Sequence, residues 1–278
     1  MKVCTIIITY NPNFQEFYEY YKQNIKEVDY AIIVDNSENS VVRKKIKKLS
    51  TELSTEVIQL DSNRGIAYAQ NRGVHRAKEI GDFTFVLFLD QDSLLKKGMT
   101  GIYNEHYEKL KNQYKIAVLG VSNTQKLYND YIKVNQIISS GTFTPLAVFQ
   151  DIGYFDEDLF IDFVEYDWCW RAKAKGYEIF SIRECRLLTH MHGDGKVNIL
   201  GTSMVKPSSV RLYYQYRNLL TLLKRSYVPH KWKISMALKM LVKIPIYIFL
   251  LKDKQATLKH IFRGFRDSFL KKEGKYID

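Results

Sequence analysis

The stretch FVLFLDQDSLL, residues 85–95, decides the fold prediction, because an apolar run of strand length ends in two carboxylates one residue apart. Such a run, bounded by polar residues, is typical of a strand buried on both faces of a sheet. Asp90 and Asp92 then stand at the carboxyl end of that strand. In an open parallel sheet this is the end at which ligands bind.

Strand and helix patterns alternate along the chain before this stretch. The strand-like segments are residues 3–10, 31–35, 57–60 and 83–89, and the segments with helical spacing are 14–25, 41–49 and 66–78. The order βαβαβαβ predicts an α/β fold, with a mainly parallel sheet flanked by helices and a ligand crevice at the carboxyl ends of the strands. Polar residues follow all four strands, which favours a binding crevice over ordinary loop polarity.

The pair Asp90 and Asp92 also predicts a ligand. Two carboxylates at one edge of a sheet repel each other unless a cation neutralises them. Mg²⁺ or Mn²⁺ takes oxygen ligands and commonly bridges protein carboxylates to the phosphates of a substrate. The sequence therefore predicts a divalent metal site at this edge, and a nucleotide diphosphate as the molecule that shares it.

The net charge of +12 is distributed unevenly. Residues 206–278 contain 17 Lys and Arg against 4 Asp and Glu, whereas residues 1–205 contain 25 against 26. This asymmetry indicates two roles on one chain, a nearly neutral body and a cationic surface for attachment.

Composition excludes several other classes of protein. A chain of 278 residues, 46% of them hydrophobic, can bury a full core. Its three cysteines lack the spacing of a disulfide framework or a zinc site, which favours a reducing cytoplasm. The first residues, MKVCTIIITYNPN, become polar too early for a secretory signal peptide. A cytoplasmic location is expected.

Four stretches in the first half of the chain resemble the nucleotide-sugar-binding motifs of family 2 inverting glycosyltransferases, which have the GT-A fold: ITYNPN, IIVDNS, DSNRGIAYAQNRG and FLDQDS. The resemblance continues through SSGTF, GYFDEDLFIDFVEYDWCWRAKAKGY, HMHGDG and YYQYRNLL, and it is greatest to the rhamnosyltransferase branch. It covers residues 3–225. It implies a catalytic domain over residues 1–205, with a donor half (1–98) and an acceptor half (99–205), followed by a basic helical region over 206–278.

The resemblance assigns donor-binding roles to particular residues. Nine positions are implied to contact the nucleotide-sugar: Thr9, Tyr10, Asn11, Asp35, Asn63, Arg64, Gly65, Asn71 and Asp90. Thr9, Tyr10 and Asn11 would line the base pocket, and Asp35 would hold the base or ribose. Asn63, Arg64, Gly65 and Asn71 would lie beside the ribose and diphosphate.

The run 165–175 is predicted to be a helix, with Gly176 placed to end it and Asp162 ahead of it as a partner of the helix dipole. Glu165 and Asp167 diverge on such a helix, so that one can face an acceptor sugar while the other supports the structure. The resemblance implies that Glu165 is the general base and Asp167 the second acid, although Val164 stands where many relatives carry another carboxylate. One base and one metal imply a single displacement with inversion.

Further site residues follow from the resemblance alone. His190, in the stretch HMHGDG, is implied to complete the metal coordination or to touch a phosphate. Gly141, in SSGTF, and Trp168, on the helix of Glu165, are expected on the acceptor side. Trp168 and Trp170 cannot share one helix face, so one is expected in the core and the other against a sugar.

The expected reaction is the transfer of L-rhamnose from dTDP-rhamnose to a hydroxyl of a cell-surface glycan or a polyprenyl-linked oligosaccharide precursor. A UDP-sugar donor of the galactofuranose, glucose or N-acetylglucosamine type is the alternative. A nucleotidyltransferase would need a glycine-rich phosphate loop after the first strand, where ITYNPN offers none. A non-catalytic sugar-binding protein would not need Asp90, Asp92 and Glu165 together.

The C-terminal region predicts a membrane-surface partner. Residues 230–254 are apolar but are interrupted by Lys233, Lys239, Lys243 and Pro245, so they lack the uninterrupted apolar run of a spanning helix. Lysines interleaved with large apolar residues are typical of an interfacial helix on an anionic membrane. The alternative is a basic helical subdomain that packs on the body. No nucleic-acid-binding signature accompanies the basic residues, so nucleic acid is not an expected partner.

Overall fold

The computed structural model describes residues 2–53, 55–121, 129–189, 196–199, 202–205, 208–250 and 253–277. The α/β fold class predicted from the sequence is confirmed. The strands are β1 (Val3–Thr9), β2 (Tyr30–Asp35), β3 (Glu56–Gln59), β4 (Phe85–Asp90), β5 (Leu94–Leu95), β6 (Ile116–Val121), β7 (Tyr131–Val134), β8 (Thr142–Pro145), β9 (Glu178–Ile182), β10 (Leu187–Thr189), β11 (Lys196–Ile199) and β12 (Thr202–Val205). The helices are α1 (Phe14–Asn24), α2 (Ser40–Glu52), α3 (Ile66–Ile80), α4 (Met99–Leu110), α5 (Val148–Ile152), α6 (Val164–Ala174), α7 (Ser209–Leu223), α8 (His230–Leu250) and α9 (Lys254–Phe269).

The main sheet has eight strands in the order β3-β2-β1-β4-β8-β6-β9-β7. Strands β1 to β4 are parallel to one another. Strand β8 lies antiparallel to both β4 and β6, and β9 is parallel to β6. The carboxyl ends of β1, β2 and β4 therefore meet at one edge, where Ile8 is the partner of Asp90.

Helices cover both faces of the sheet, and nearly every residue of its central strands β1 and β4 is buried. Ile6 and Phe88 pack with side chains of α3 and α6 on one face. Their neighbours along the two strands, Ile7 and Leu87, pack with α1 and α4 on the other face. The alternation of side chains along each strand thus divides one apolar run between two core layers.

The three C-terminal helices form a third apolar cluster. Leu212, Tyr216 and Leu219 of α7 pack against Met240 of α8 and Ile261 of α9. Helix α7 also contacts the body through hydrogen bonds from Asn218 and Arg217. None of the helices within the described ranges is long and apolar enough to cross a membrane.

Candidate active site

An open cavity of about 580 Å³ lies at the edge of the sheet where β1, β2 and β4 end. Its far wall is the loop before α6, together with the first turns of α6 and α7. It is lined by Ile8, Tyr10, Asn36, Asn63, Gly65, Ile66, Asp90, Gln91, Asp92, Ile138, Ser139, Ser140, Phe160, Ile161, Asp162, Phe163, Glu165, Tyr166 and Arg211. Tyr10, Asn63, Gly65, Asp90, Asp92 and Glu165 are therefore brought together, as the sequence predicts.

Asp90 and Asp92 are held on this edge by the turn that follows β4. The backbone N–H of Asp90 donates to Oγ of Ser140 over 3.0 Å, and Oγ of Ser140 lies 2.7 Å from Oγ of Ser93. The N–H of Ser93 in turn donates to the carbonyl of Asp90 over 3.1 Å. These bonds fix the backbone on both sides of Asp92, so the two carboxylates are presented to the same cavity.

The donor set at this turn fits Mg²⁺ or Mn²⁺. Those ions take carboxylate oxygens, and Mg²⁺ in particular is often held by one or two carboxylates together with substrate phosphates. Within the described ranges, no group of three or more His, Cys, Asp and Glu side chains is arranged to hold a metal ion. Asp90 and Asp92 supply two such carboxylates to the cavity. His190, the third expected ligand, lies outside the described residues.

The side of the cavity between the end of β2 and the start of α3 is organised by Asn36, a residue that the sequence did not predict to belong to the site. Its Nδ2 donates to Oδ1 of Asn63 over 2.9 Å and to the carbonyl of Gly65 over 3.2 Å. Its Oδ1 accepts from the N–H of Arg64 over 2.8 Å. Asn36 follows β2 directly, so its position as a polar residue at a strand end could have identified it as a site residue.

Gly65 is required at the start of α3. Its φ of +86° is rarely adopted by residues with a side chain, and an added Cβ would lie 2.6 Å from the carbonyl oxygen of Phe160. The N–H of Ile66 donates to that same oxygen over 2.8 Å. The entrance to α3 and the loop before α6 are therefore in direct contact across the cavity.

Three residues expected to bind the sugar donor, Thr9, Asn11 and Asp35, are not among the residues that line the cavity. Thr9 and Asp35 are buried and joined by a 3.0 Å hydrogen bond from Oγ1 to Oδ1, while Oδ2 of Asp35 accepts from Gln59. Asn11 has a φ of +43°, and its Oδ1 accepts from two backbone N–H groups at the start of α2. These three residues shape the loops that present Tyr10 and Asn36.

Asn71 and Arg64 are also placed outside the lining. Asn71 is buried in α3, and its Nδ2 donates to the carbonyl of Phe155 over 2.9 Å and to Glu157 over 2.8 Å. The guanidinium of Arg64 is exposed and lies over the ring of Tyr68 at 4.6 Å from its centroid. Asn71 thus joins α3 to the segment that contains Phe155 and Glu157.

Glu165 is in the first turn of α6 and lines the cavity. Burial raises the pKa of its carboxyl to about 7, and the negative charges of Asp162 and Asp90 contribute to the shift. A carboxylate of this kind can accept a proton near neutral pH. Asp90 and Glu165 are thus close enough to influence each other electrostatically.

Asp167 is placed differently from Glu165, two positions away. Its carboxylate is fully buried and accepts from Nε of Arg171 over 2.9 Å, from the hydroxyl of Tyr227 over 2.6 Å, and from Arg225. It does not line the cavity. Because residues two apart on a helix point in different directions, Glu165 lines the cavity and Asp167 contacts the C-terminal region.

Gly141 and Trp168, expected on the acceptor side, both lie in the core. The indole Nε1 of Trp168 donates to the carbonyl of Gly153 over 2.8 Å, and its ring packs against Phe149 and Phe155. Gly141 has a φ of +80°, and an added Cβ would lie 2.5 Å from the side chain of Val121. Trp170 is buried as well, so neither tryptophan reaches the cavity.

Arg211 and Asp162 form an ion pair that the sequence analysis did not anticipate. Nε and Nη2 of Arg211 lie 3.0–3.2 Å from the Asp162 carboxylate, and both residues line the cavity. Asp162 was expected only to complement the dipole of α6. The charge of Asp162, with smaller contributions from Glu165 and Asp90, raises the pKa of Arg211. Arg211 was missed because it belongs to α7, in the region predicted to serve attachment.

The sequence matches the family model described as "Glycosyl transferase family 2" over residues 4–161. A curated relative is the dTDP-rhamnosyl transferase RfbF of Shigella flexneri, which is 29% identical over 280 residues, 93% of each chain.

Two solved structures are similar in fold. The TarS 1–349 fragment of S. aureus, in complex with UDP-GlcNAc, aligns with a TM-score of 0.58 at 15% identity, covering 98% of this chain and 82% of the fragment. This chain spans 49% of the longer TarS chain. GalNAc-T7 with UDP, GalNAc and Mn²⁺ aligns with a TM-score of 0.61 at 11% identity, covering 97% of this chain and 56% of that one.

Proposed function

Because the chain belongs to glycosyl transferase family 2 and is a glycosyltransferase, we propose that it moves L-rhamnose from dTDP-rhamnose to a hydroxyl of a cell-surface glycan or polyprenyl-linked precursor. The donor is proposed from the Shigella relative, whose printed activity is dTDP-rhamnosyl transfer. The observation that carries the reaction type is the cavity, in which Asp90, Asp92 and Glu165 come together.

Glu165 is the proposed general base. Its carboxylate takes the proton of the acceptor hydroxyl as the new glycosidic bond forms, and the bond from the anomeric carbon to the diphosphate breaks. One such base, acting on the face opposite the leaving group, supports a single displacement with inversion. Asp167 is proposed to support the structure of α6, since two arginines and a tyrosine hold it away from the cavity.

The donor is proposed to bind along the edge formed by Tyr10, Asn63 and Gly65. Tyr10 is 45% exposed at the cavity rim and offers a ring on which a base can stack. Asn63 and Gly65 stand at the N-terminus of α3, where partial positive charge favours a diphosphate. Asp90 and Asp92 would hold Mg²⁺ or Mn²⁺. When bound there, the ion would neutralise charge on the diphosphate as it leaves.

The C-terminal helices are proposed to attach the protein to the inner face of an anionic membrane, where a lipid-linked acceptor would be available. Helix α8 exposes an apolar stripe, which we call the α8 stripe: Ile234, Leu238, Val242 and Phe249 are 65%, 59%, 62% and 87% exposed. These residues recur at helical spacing and share one face. Exposed Lys231 and Lys239 lie on the same helix, a combination suited to anionic lipid rather than to a second cationic copy of this chain.

A donor panel tests the proposed function. The purified chain is incubated with Mn²⁺ or Mg²⁺ and with dTDP-rhamnose, dTDP-glucose, UDP-glucose, UDP-galactofuranose or UDP-N-acetylglucosamine, and released nucleotide diphosphate is measured with and without polyprenyl-linked acceptor. Turnover is expected to be fastest with dTDP-rhamnose and to stop in EDTA. Turnover with a UDP-sugar alone would replace the proposed donor and leave the transferase mechanism intact. Unchanged turnover in EDTA would overturn the metal site.

A further inference from the structure

The loop that leads into α6 has an unfavourable backbone conformation. Phe160, Asp162 and Phe163 have φ values of 63°, 66° and 66°, in the left-handed region that residues with side chains rarely adopt. No glycine relieves the loop. It nevertheless supplies Phe160, Asp162 and Phe163 to the cavity and places Glu165 in the next turn. Such a conformation persists only where the surrounding structure holds it.

Asn218 of α7 contacts the carbonyl groups of this loop. Its Nδ2 lies 2.8 Å from the carbonyl oxygens of Leu159 and Ile161 and 3.1 Å from that of Asp162. Asn218 is fully buried. Two amide hydrogens are thus shared among three carbonyl oxygens, which the left-handed turn directs toward one point.

The neighbouring Arg217 fixes the orientation of the Asn218 amide. Its Nε donates to Oδ1 of Asn218 over 2.9 Å, and its Nη2 donates to the carbonyls of Asp158 and Leu159 over 2.7 and 3.0 Å. An amide turned the other way would set its oxygen against three carbonyls and its NH₂ group against a guanidinium. The donors of Asn218 must therefore face the loop.

We propose that Asn218 is a positioning residue, which holds the left-handed loop before α6 in place and thereby keeps Asp162 and Glu165 at the cavity. The consequence for catalysis rests on the proposed role of Glu165 as the base. A buried asparagine that merely fastened α7 to the body would contribute stability alone. A positioning residue also sets the environment of Glu165, because the loop leads into the helical turn of Glu165 and carries Asp162, whose charge contributes to the raised pKa of that carboxyl.

Asn218→Ala and Asn218→Asp test the proposal, with Thr221→Val as a matched control. Aspartate keeps the volume of the side chain and its bond to Arg217 but has no hydrogens for the loop carbonyls. Thr221 is on the same helix, and its hydroxyl bonds to the carbonyl of Arg217 and to Ser268 of α9 rather than to the loop. Three quantities are compared: hydrogen exchange in peptides covering residues 159–166, dTDP affinity, and the pH profile of kcat.

Both Asn218 variants are expected to exchange amide hydrogens faster in this peptide and to bind dTDP within about twofold of the parent, since β1, β2 and α3 are untouched. Misplacing a base lowers kcat by on the order of 10–10²-fold. The acid limb of the pH profile moves to lower pH, because water reaches Glu165 and its pKa falls toward the ordinary value. Thr221→Val is expected to lose stability only.

The proposal is overturned if loop exchange is unchanged, if Thr221→Val lowers kcat as much as Asn218→Ala does, or if neither Asn218 variant folds, since Asn218 would then support the whole chain. Loop exchange is independent of turnover. Failure of the proposed function would leave the parent inactive with every donor, while faster exchange in the variants would still support the structural half of the inference.

Discussion

The carboxyl of Glu165 lies in an environment that disfavours its ionised form. Burial raises its pKa to about 7, and the negative charges of Asp162 and Asp90 add to the shift. A base titrating near the working pH combines a useful ionised fraction with enough proton affinity to assist the reaction. The same environment makes the charged form unfavourable for the folded chain, so Glu165 makes stability depend on pH and, as the proposed base, would make turnover depend on pH as well.

Glu165→Gln is expected to lower sugar transfer at saturating donor by on the order of 10²–10⁴, the usual contribution of a positioned base. Binding of dTDP and metal should persist, because Asp90, Asp92 and Asn36 are unchanged. Asp167→Asn serves as the comparison: its partners are Arg171, Arg225 and Tyr227, so it should lower the melting temperature more than it lowers kcat. Parent-rate transfer by Glu165→Gln, together with slow transfer by a folded Asp167→Asn, would make Asp167 the base.

The stability of the same Glu165→Gln variant should depend on pH. The carboxyl has a folded pKa of about 7, above the ordinary value of 4.5. Its favourable contribution is therefore present below pH 4.5 and is lost as the pH rises through 7. The glutamine variant carries no such charge. Its Tm should exceed that of the parent at pH 8 and approach it at pH 5, as followed by thermal unfolding without metal. A constant difference across this range would contradict the shift.

Asp92→Ala should abolish divalent-dependent nucleotide binding and turnover while leaving the fold intact. The reason is that a hard cation held between Asp90 and Asp92 would lose one of its two protein carboxylates and with it much of its affinity for the site. Isothermal titration of dTDP with and without Mn²⁺ measures the effect, and circular dichroism checks the fold. If the variant retained metal-dependent binding, Asp90 and residues other than Asp92 would have to hold the ion.

The positions of three cavity residues, Asp90, Asp92 and Glu165, could be predicted from the sequence. Each lies at a strand end or in the first turn of a helix, and the local sequence pattern encodes both kinds of element. Arg211 and Asp162 could not be predicted, since their pairing depends on how α7 packs against a loop far away in the sequence. The buried position of Trp168 could not be predicted for a related reason. Its helix is buried nearly all round, so its pattern does not show which side faces the cavity.

The first four strands and three helices follow directly from local pattern. Predicted strand 31–35 lies within β2 (Tyr30–Asp35), and predicted helix 66–78 within α3 (Ile66–Ile80). The second half of the sheet was not predicted. Strand β8 lies between β4 and β6 and is antiparallel to both. Its pairing depends on contacts across long sequence separations, which a local pattern cannot encode.

The α8 stripe can be tested by substitution. Leu238→Ser combined with Val242→Ser should weaken co-sedimentation with vesicles containing anionic lipid, because both side chains are exposed and apolar. Val41→Ser on α2 is the matched control: Val41 is 60% exposed and Val242 is 62% exposed, but Val41 belongs to the body. Binding by the parent should also weaken as salt rises. Equal partitioning of the stripe variant and the control would contradict the membrane proposal.

The C-terminal helices cannot simply be deleted in such a test. Removing the chain from Lys231 onward would strip Met240, Tyr247 and Ile261 from the apolar side chains of α7. Helix α7 carries Arg211 to the cavity and Asn218 to the loop before α6. Loss of liposome binding after this deletion would therefore not distinguish a lost membrane surface from a damaged fold. The surface proposed for attachment and the helix that supports the cavity thus belong to one helical region.

The last described residues of the chain contact the edge of the cavity along which the sugar donor is proposed to bind. The N–H of Gly274 donates to the carbonyl of Asp158 over 2.9 Å, and the carbonyl of Gly274 accepts from Arg217 over 2.7 Å. Lys275 Nζ lies 2.9 Å from Glu38, which also accepts a 3.4 Å hydrogen bond from the hydroxyl of Tyr10 at the cavity rim. The C-terminal segment thus connects α7, the loop before α6 and the donor edge.

Deleting residues 274–278 should lower Tm, whereas Lys275→Ala should change it little. The deletion removes the Gly274 carbonyl from the buried side chain of Arg217, and loss of a buried hydrogen-bond partner costs about 1–3 kcal/mol. The Lys275–Glu38 pair is half exposed, and such pairs contribute about 0–1 kcal/mol. Thermal unfolding of both variants measures the difference. If Lys275→Ala reproduced the whole effect of the deletion, the salt bridge at the rim, rather than the backbone contacts of Gly274, would be the connection that holds the donor edge.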